Sequence, residues 1–169
     1  MKNKIIKRIA SNAIVAALYF VLTVATSAFS FGMIQVRIAE ALVLLCFFRR
    51  DYVIGVTLGC LLANLFSTMP MPILDMIFGT LATLISSLAI SFMKHLLVAT
   101  IFPVIANAFV VGAELYFMLQ EPFWLSCLFV GIGEFIAVTV LGYTLFMILG
   151  RQEGILKAIH AKQNLEFKW

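Results

Sequence analysis

The sequence predicts an all-α membrane protein, a single bundle of six transmembrane helices with both termini in the cytoplasm. Of its 169 residues, 63% are apolar and 12% are charged, and the mean hydropathy is +1.10. A soluble domain is usually about half apolar and a quarter charged. Because a spanning helix needs about 20 residues, the chain has room for roughly five to seven spans. We therefore interpret residues 1–169 as one integral-membrane domain.

Six apolar segments follow one another between charges, prolines and turn residues. They cover residues 9–30, 36–48, 52–67, 73–93, 96–118 and 123–149. The first follows a basic start and is too long for the apolar region of a signal peptide, so it is interpreted as a helix. The second has about 13 residues and would extend only about 20 Å, which is short of a hydrocarbon core of about 30 Å. We expect it to tilt out of the lipid or to be capped by loops.

The basic residues indicate the topology. Eleven of the twelve Lys and Arg residues lie in the N-terminus, the 49–51 turn, the 94–95 turn and the C-terminal tail, and only Arg37 lies on the other side. Cytoplasmic loops are enriched in Lys and Arg, so both ends are predicted to be cytoplasmic. The net charge of +4 therefore reflects topology and contact with anionic lipid, and it does not indicate nucleic-acid binding.

Several polar residues interrupt the apolar segments. A charge at the bilayer centre costs about 2.5–3.5 kcal/mol on insertion scales, so these residues should face protein or a water-filled cavity. Glu114 should lie about 8 Å inside the outer end of the fifth helix, and Glu134 about 15 Å deep. The sequence shows no buried Lys or Arg that would neutralise this pair. The seven residues predict a cavity open to the outside and closed to the inside: Arg37, Glu40, Asn64, Asp75, Asn107, Glu114 and Glu134.

Structural roles are an alternative for five of these residues. Arg37 and Glu40, three residues apart, could form an ion pair at the start of a helix. Asp75 follows two prolines and could be a first-turn residue stabilised by the helix dipole. Asn64 and Asn107 could form hydrogen bonds between helices.

Signatures of catalysis and of metal binding are missing from the sequence. There is no Gly-Lys dipeptide and hence no Walker A loop. Cys46, Cys60 and Cys127 lie singly in apolar runs and are interpreted as small core or lipid-facing residues. His95 and His160 are predicted at cytoplasmic turns, away from the carboxylates. No catalytic residue, metal ligand or cofactor is therefore predicted for this chain.

Small residues recur at the spacing of helix contacts. Ladders of this kind on the third and fourth helices indicate close packing within the bundle, because helices in lipid associate where small residues let their backbones approach. The first helix carries a further pair, Ala13 and Ala17.

Five motifs in the chain resemble the QueT family. They lie at residues 37–42 (RIAEAL), 59–65 (GCLLANL), 75–83 (DMIFGTLAT), 107–114 (NAFVVGAE) and 131–134 (GIGE). The members of this family are substrate-binding (S) components of energy-coupling factor (ECF) transporters, assigned to the uptake of queuosine precursors. The resemblance extends over nearly the whole chain, and the polar residues named above stand within its motifs.

This resemblance implies a subunit of the cell membrane that captures a solute from outside and associates with a transmembrane coupling protein and two ATPases. ATP would then be used by the partner ATPases, which agrees with the lack of a nucleotide motif here. In transporters of this type an AxxxA pattern on the first helix contacts the coupling protein. Ala13 and Ala17 match that pattern.

The acidic residues also suit a 7-deazaguanine, such as 7-aminomethyl-7-deazaguanine. Its N1–H and exocyclic amine are adjacent donors for a carboxylate, and an aminomethyl arm adds a cation for a second carboxylate. Its carbonyl needs a donor, which an Asn or Arg37 could supply. Stacking on Phe78 or Phe109 would hold the ring.

Two other functions compete with this interpretation. One is a proton- or cation-coupled carrier in which Glu114 and Glu134 form a relay, although six short spans without a visible repeat argue against it. The other is an intramembrane enzyme, for which the sequence offers no pair of nucleophile and base. Dependence of uptake on an ATPase module distinguishes the first interpretation from both.

Overall fold

The computed structural model describes residues 2–31 and 35–159, and this part of the chain consists of helices and turns without a strand. Most of the predicted 32–35 turn, and the tail from His160 to Trp169, lie outside the described residues. A single helical turn, Ser27–Ser30, follows the first helix. The helices are α1 (Lys2–Ala25), α2 (Ile38–Phe48), α3 (Tyr52–Asn64), α4 (Pro72–Ile90), α5 (Leu96–Leu119), α6 (Phe123–Leu149) and α7 (Glu153–Ala158).

Four of these helices are long and apolar enough to cross a membrane. They are the Ile5–Ala25 part of α1, then α4, α5 and α6, and their outer faces carry large exposed apolar side chains. The all-helical class and the order of the apolar segments are as predicted. α2 and α3 are shorter apolar helices. α3 ends at Asn64, although the apolar segment in the sequence continues to about residue 67. Length and composition thus identify four candidate spans rather than six.

Helix α2 is short because it is an internal element of the bundle. Its first part, Ile38–Leu44, is a 3-10 helix, and one α-helical turn, Leu45–Phe48, completes it. Val43 and Cys46 are fully buried, and the helix packs against α1 and α6. Neighbouring helices therefore shield it from lipid. The prediction from the sequence was instead that this segment tilts out of the lipid or is capped by loops.

Helix α6 changes its hydrogen-bonding pattern halfway along. It is α-helical over Phe123–Glu134, π-helical over Phe135–Gly142 and α-helical again over Tyr143–Leu149. The π-helical segment packs against α2. Segments of this kind occur mostly as short insertions in α-helices and often at functional sites. This one begins directly after Glu134.

Three of the basic segments lie together at one end of the bundle. Arg8 on α1 forms an ion pair with Asp51, with 3.2 Å between Nε and Oδ2. Arg50 donates a hydrogen bond of 3.1 Å to the carbonyl of Ser91, after the end of α4. The N-terminal part of α1, the 49–51 turn and the α4–α5 turn are therefore neighbours, as the count of basic residues requires.

The small residues of α3 serve packing within the bundle, as predicted. A Cβ atom at Gly59 would lie 2.8 Å from the carbonyl oxygen of Ala16 on α1, so only glycine permits this approach of the two backbones. The pair Ala13 and Ala17 lies on the exposed face of α1, away from this contact.

Candidate functional site

Six of the predicted polar residues form one buried cluster, which we call the polar cluster. α2 with the residue before it, the end of α3, the start of α4, and the interiors of α5 and α6 supply its members. Each residue is exposed by 3% or less: Arg37, Glu40, Asn64, Asp75, Glu114 and Glu134. The charged groups of the polar cluster thus face protein rather than lipid.

Arg37 is the cation of this cluster. Its Nη2 atom lies 4.0 Å from Oδ1 of Asp75, and its guanidinium carbon lies 5.3 Å from the centre of the Phe31 ring. The guanidinium also interacts electrostatically with Glu114 and Glu134. The expectation that no buried cation accompanies these two carboxylates is therefore wrong, because Arg37, which directly precedes α2, lies inside the bundle.

The four carboxylates of the polar cluster interact as two pairs. Glu114 interacts with Asp75, and Glu134 interacts with Glu40. The first pair lies near the start of α4. The second lies farther along this helix, because Glu40 is bound to Thr83, eight residues after Asp75. Eight residues of α-helix correspond to a rise of about 12 Å. The polar cluster therefore extends along the bundle axis from one acidic pair to the other.

Glu40 is held by two hydroxyl groups from different helices. Tyr19 on α1 donates to Oε1 of Glu40, and Thr83 on α4 donates to the same oxygen over 2.8 Å. Both hydroxyl-bearing residues are fully buried. The second carboxylate oxygen, Oε2, is buried and has no hydrogen-bond partner in the described part of the chain.

Asn64 and Cys60 connect α3 to this arrangement. The Asn64 amide nitrogen donates to the backbone carbonyl of Asp75 over 3.2 Å and to Sγ of Cys60 over 3.4 Å. Sγ of Cys60 also lies 3.8 Å from Nη1 of Arg37 and 3.2 Å from Oγ1 of Thr83. Asn64 thus forms the predicted bond between helices and at the same time lies within the polar cluster.

Two glycines permit the close approaches that this arrangement needs. A Cβ atom at Gly79 would lie 2.5 Å from the Asn64 amide nitrogen, and one at Gly133 would overlap the backbone carbonyl of Gln35. Gly133 precedes Glu134 and therefore brings α6 against the segment that leads into Arg37.

The polar cluster contains an unusual concentration of unpaired polar atoms. Among the described residues, twelve buried side-chain N or O atoms have no hydrogen-bond partner, and nine of them belong to the six residues of the cluster. Each such atom costs about 1–3 kcal/mol when it stays unpaired. The nine atoms are six carboxylate oxygens, the amide oxygen of Asn64 and two nitrogens of the Arg37 guanidinium. This set can bind a small molecule rich in N–H groups.

Two predicted residues stand apart from the cluster. The Asn107 side chain donates a hydrogen bond of 3.1 Å to the carbonyl of Pro103 in its own helix. Phe78 is half-buried on α4, and no described contact joins it to the cluster. Phe109, the other candidate for stacking, is exposed by 50%.

Tyr19, Cys60 and Thr83 were not predicted as site residues. Cys60 and Thr83 were interpreted as small packing residues. The sequence alone does not distinguish a thiol or hydroxyl group that faces lipid from one that is buried in the bundle. The sequence could have indicated Tyr19, because a tyrosine in the middle of an apolar helix needs a partner for its hydroxyl. That partner, Glu40, lies on another helix, so only packing identifies it.

A buried cluster of ionisable side chains within a bundle of membrane-spanning helices defines a class of protein, the membrane transport proteins, in which such residues mark solute and ion pathways. The family described as QueT transporter matches residues 9–151 of the chain. A protein of Lactococcus lactis subsp. cremoris (strain MG1363), named queuosine precursor transporter QueT, is 34% identical over 157 residues, which cover 83% of this chain and 90% of that protein.

The chain therefore belongs to the QueT transporter family, as its motifs indicated. It is a multi-pass protein of the cell membrane. No solved structure matches the chain.

Proposed function

We propose that the protein is the membrane-embedded substrate-capture (S) subunit of an ATP-driven ECF importer and that it binds a queuosine precursor of the 7-deazaguanine class in the polar cluster. One observation carries the proposal: a single buried guanidinium lies among four buried carboxylates, most of whose oxygens lack partners. The name of the Lactococcus lactis relative supports the substrate class.

The chemistry of the cluster suits this class of base. A 7-deazaguanine presents two adjacent donors, N1–H and the 2-amino group, next to a carbonyl acceptor. A carboxylate accepts such adjacent donors, and a guanidinium donates to a carbonyl. A neutral, donor-poor vitamin would leave several of the four carboxylates unpaired, at a cost of about 1–3 kcal/mol for each atom.

The proposal includes the full topology. All six helices α1 to α6 cross the membrane, the two short ones within the shelter of the others, and both termini are cytoplasmic. The contacts between Arg8 and Asp51 and between Arg50 and Ser91 support this, because they gather basic segments at one end. The polar cluster would then open toward the outside, where the solute is captured.

The proposed partners are a transmembrane coupling protein and two ATPases. The exposed pair Ala13 and Ala17 on α1 is the proposed contact with the coupling protein, since small residues permit close approach of a partner helix. ATP would be used by the ATPases alone, so the chain itself needs no cofactor and performs no chemical step.

Two measurements test the proposal. Mass spectrometry of the small molecules that copurify with the detergent-solubilised chain should identify a 7-deazaguanine, and isothermal titration should confirm its binding. Uptake of that compound by cells should then require coexpression of a coupling protein and its ATPases. Uptake that proceeds without any ATPase would contradict the proposal and favour a cation-coupled carrier.

A further inference from the structure

We infer that Glu40 and Glu134 form a subsite for a cation, so that the protein selects a 7-deazaguanine whose 7-substituent ends in an ammonium group. We infer further that Tyr19 and Thr83 are positioning residues that direct the Glu40 carboxylate toward that cation. The inference rests on the proposed function, because it takes a 7-deazaguanine as the ligand of the polar cluster.

The order of groups in the polar cluster matches the order of groups on the base. Along the edge of a 7-deazaguanine, the donors 2-NH₂ and N1–H come first, the carbonyl O6 follows, and the 7-substituent lies beyond O6. In the cluster, three successive turns of α4 give the order of the groups. Nη2 of Arg37 lies 4.0 Å from Oδ1 of Asp75, Nη1 would lie 3.5 Å from a Cβ atom at Gly79, and Glu40 is bound to Thr83 one turn further on. Arg37 therefore lies between Asp75, which interacts with Glu114, and Glu40, which interacts with Glu134. If Arg37 donates to O6, one pair accepts the two donors and the other pair faces the 7-substituent.

The dimensions of the cluster agree with this alignment. Asp75 and Thr83, which binds Glu40, are eight residues apart on α4, a rise of about 12 Å. This length accommodates a bicyclic base with a one-carbon arm and still leaves room for a carboxylate at each end. The same residues would be too far apart to serve one edge of an unsubstituted base.

The Glu40–Glu134 pair has the properties of a cation subsite. The two carboxylates interact with each other, and each has a buried oxygen, Oε2, without a partner in the described part of the chain. Arg37 forms its ion pair with Asp75, which is in the other pair. Two neighbouring carboxylates repel each other, and an ammonium group supplies both the opposite charge and N–H donors. A nitrile in the same place would present an acceptor to acceptors.

Tyr19 and Thr83 explain why Oε2 of Glu40 is the available atom. Both hydroxyls donate to Oε1, one from α1 and one from α4, and this restrains the carboxylate. The Cys60 thiol lies 3.2 Å from Oγ1 of Thr83 and can donate to it while the Thr83 hydroxyl donates to Glu40. The carboxylate is therefore held before the ligand arrives, which spares the ligand the cost of ordering it.

The test compares three ligands on the full chain in detergent by isothermal titration. The ligands are 7-aminomethyl-7-deazaguanine, its uncharged 7-cyano analogue and unsubstituted 7-deazaguanine. The wild type should bind the amine about tenfold or more tightly than the other two. Glu40→Gln should weaken binding of the amine by about ten- to hundredfold and change binding of the other two by less than about threefold, since a charge-assisted bond is lost for one ligand only.

Matched variants distinguish a subsite from general damage. Glu114→Gln should weaken binding of all three ligands, because it contacts the edge that they share. Tyr19→Phe and Thr83→Val should each reduce the preference for the amine by about three- to tenfold, since each removes one donor to Oε1. Thr83→Ser keeps the hydroxyl and should restore the preference. Thermal unfolding of each variant shows whether it is folded, and Glu134→Gln replaces Glu40→Gln if the latter does not fold.

Two results would overturn different conclusions. If the wild type binds 7-deazaguanines without preferring the amine, or if Glu40→Gln and Tyr19→Phe affect all three ligands equally, the cation subsite is wrong while the proposed function stands. If the wild type binds none of the three ligands, the proposed function itself fails.

Discussion

Tyr19 donates a hydrogen bond to Oε1 of Glu40 and so makes the first helix a part of the polar cluster. Two residues earlier, Ala17 lies on the exposed face of the same helix. One turn of α1 thus carries both a group that holds a site carboxylate and a surface available to another protein. A displacement of α1 by a partner would move the Tyr19 hydroxyl relative to Glu40.

Replacement of Ala13 or Ala17 with Trp should abolish uptake by the assembled transporter and leave the dissociation constant of the isolated chain nearly unchanged. The side chains are exposed, so Trp is accommodated in the subunit but blocks the close approach of a partner helix. Titration of the isolated variant and uptake by the whole complex measure the two effects. Ile105→Trp, at a position of α5 that is 52% exposed, is the control and should preserve both. Loss of binding with normal assembly would assign Ala13 and Ala17 to the bundle interior.

Glu114→Gln should lower the affinity for a 7-deazaguanine by about ten- to hundredfold. The substitution turns one acceptor oxygen into a donor that faces a donor of the ligand, and hydrogen bonds to charged groups contribute about 1.5–3 kcal/mol. A carboxylate without a ligand contact behaves differently, because Gln would remove a buried charge and raise the thermal stability without loss of affinity. Titration together with thermal unfolding in detergent separates the two, and a variant that binds normally and melts higher would contradict the assignment.

Gly133→Ala should destabilise the fold by about 1–3 kcal/mol and weaken binding, whereas Gly131→Ala should not. A Cβ atom at Gly133 overlaps the carbonyl of Gln35, which must move and displace Arg37 with it. At Gly131 the added Cβ atom would lie 3.5 Å from Cβ of Ala108, an ordinary contact. Thermal unfolding and titration of the pair measure the difference. Equal stability of the two variants would contradict the close approach of α6 to residue 35.

Arg37→Gln should be more destabilising than Asp75→Asn. Removal of the guanidinium leaves four buried carboxylates without their cation, and an uncompensated buried charge costs about 3–5 kcal/mol. Asp75→Asn leaves Arg37 in the company of three acidic residues, so its cost should be near the average of about 1 kcal/mol for a substitution. Thermal unfolding of the two variants in the same detergent gives the comparison, and the reverse order would show that Arg37 does not balance the cluster.

Reporter fusions should place the C-terminus and the 69–72 loop on opposite sides of the membrane. A fusion after Trp169 should report the cytoplasm, since the basic segments occupy that end of the chain, and a fusion within the loop should report the outside. Two reporters are fused at each site, one that is active only in the cytoplasm and one that is active only outside. The second reporter is the control for the first. An outside C-terminus would also overturn the depths assigned to Glu114 and Glu134.

The membership of the polar cluster was predictable because charge is so rarely tolerated within an apolar helix. Glu114 and Glu134 are separated by 20 positions in the chain and were both recognised from their surroundings alone. Their partners were not predictable. The pairing of Glu114 with Asp75 and of Glu134 with Glu40 depends on which faces of four helices meet. In helices that are apolar on all sides, the sequence indicates those faces only weakly.

Helix α2 shows where prediction from sequence ended. Its length indicated that it is too short for the bilayer, but its burial among other helices follows from contacts with α1 and α6. The π-helical segment Phe135–Gly142 was not predicted from the sequence, and in the structure it packs against α2.

Composition and the distribution of basic residues were sufficient to identify a membrane bundle and the polar residues inside it, because transfer of charge into lipid costs more than any local preference can offset. The motifs were sufficient for the family. The ion pair of Arg37 with Asp75, and the hydrogen bonds of Tyr19 and Thr83 to Glu40, emerged only from the packed structure. Those contacts join residues more than twenty positions apart, and their geometry depends on how closely glycine and other small residues allow the helices to approach.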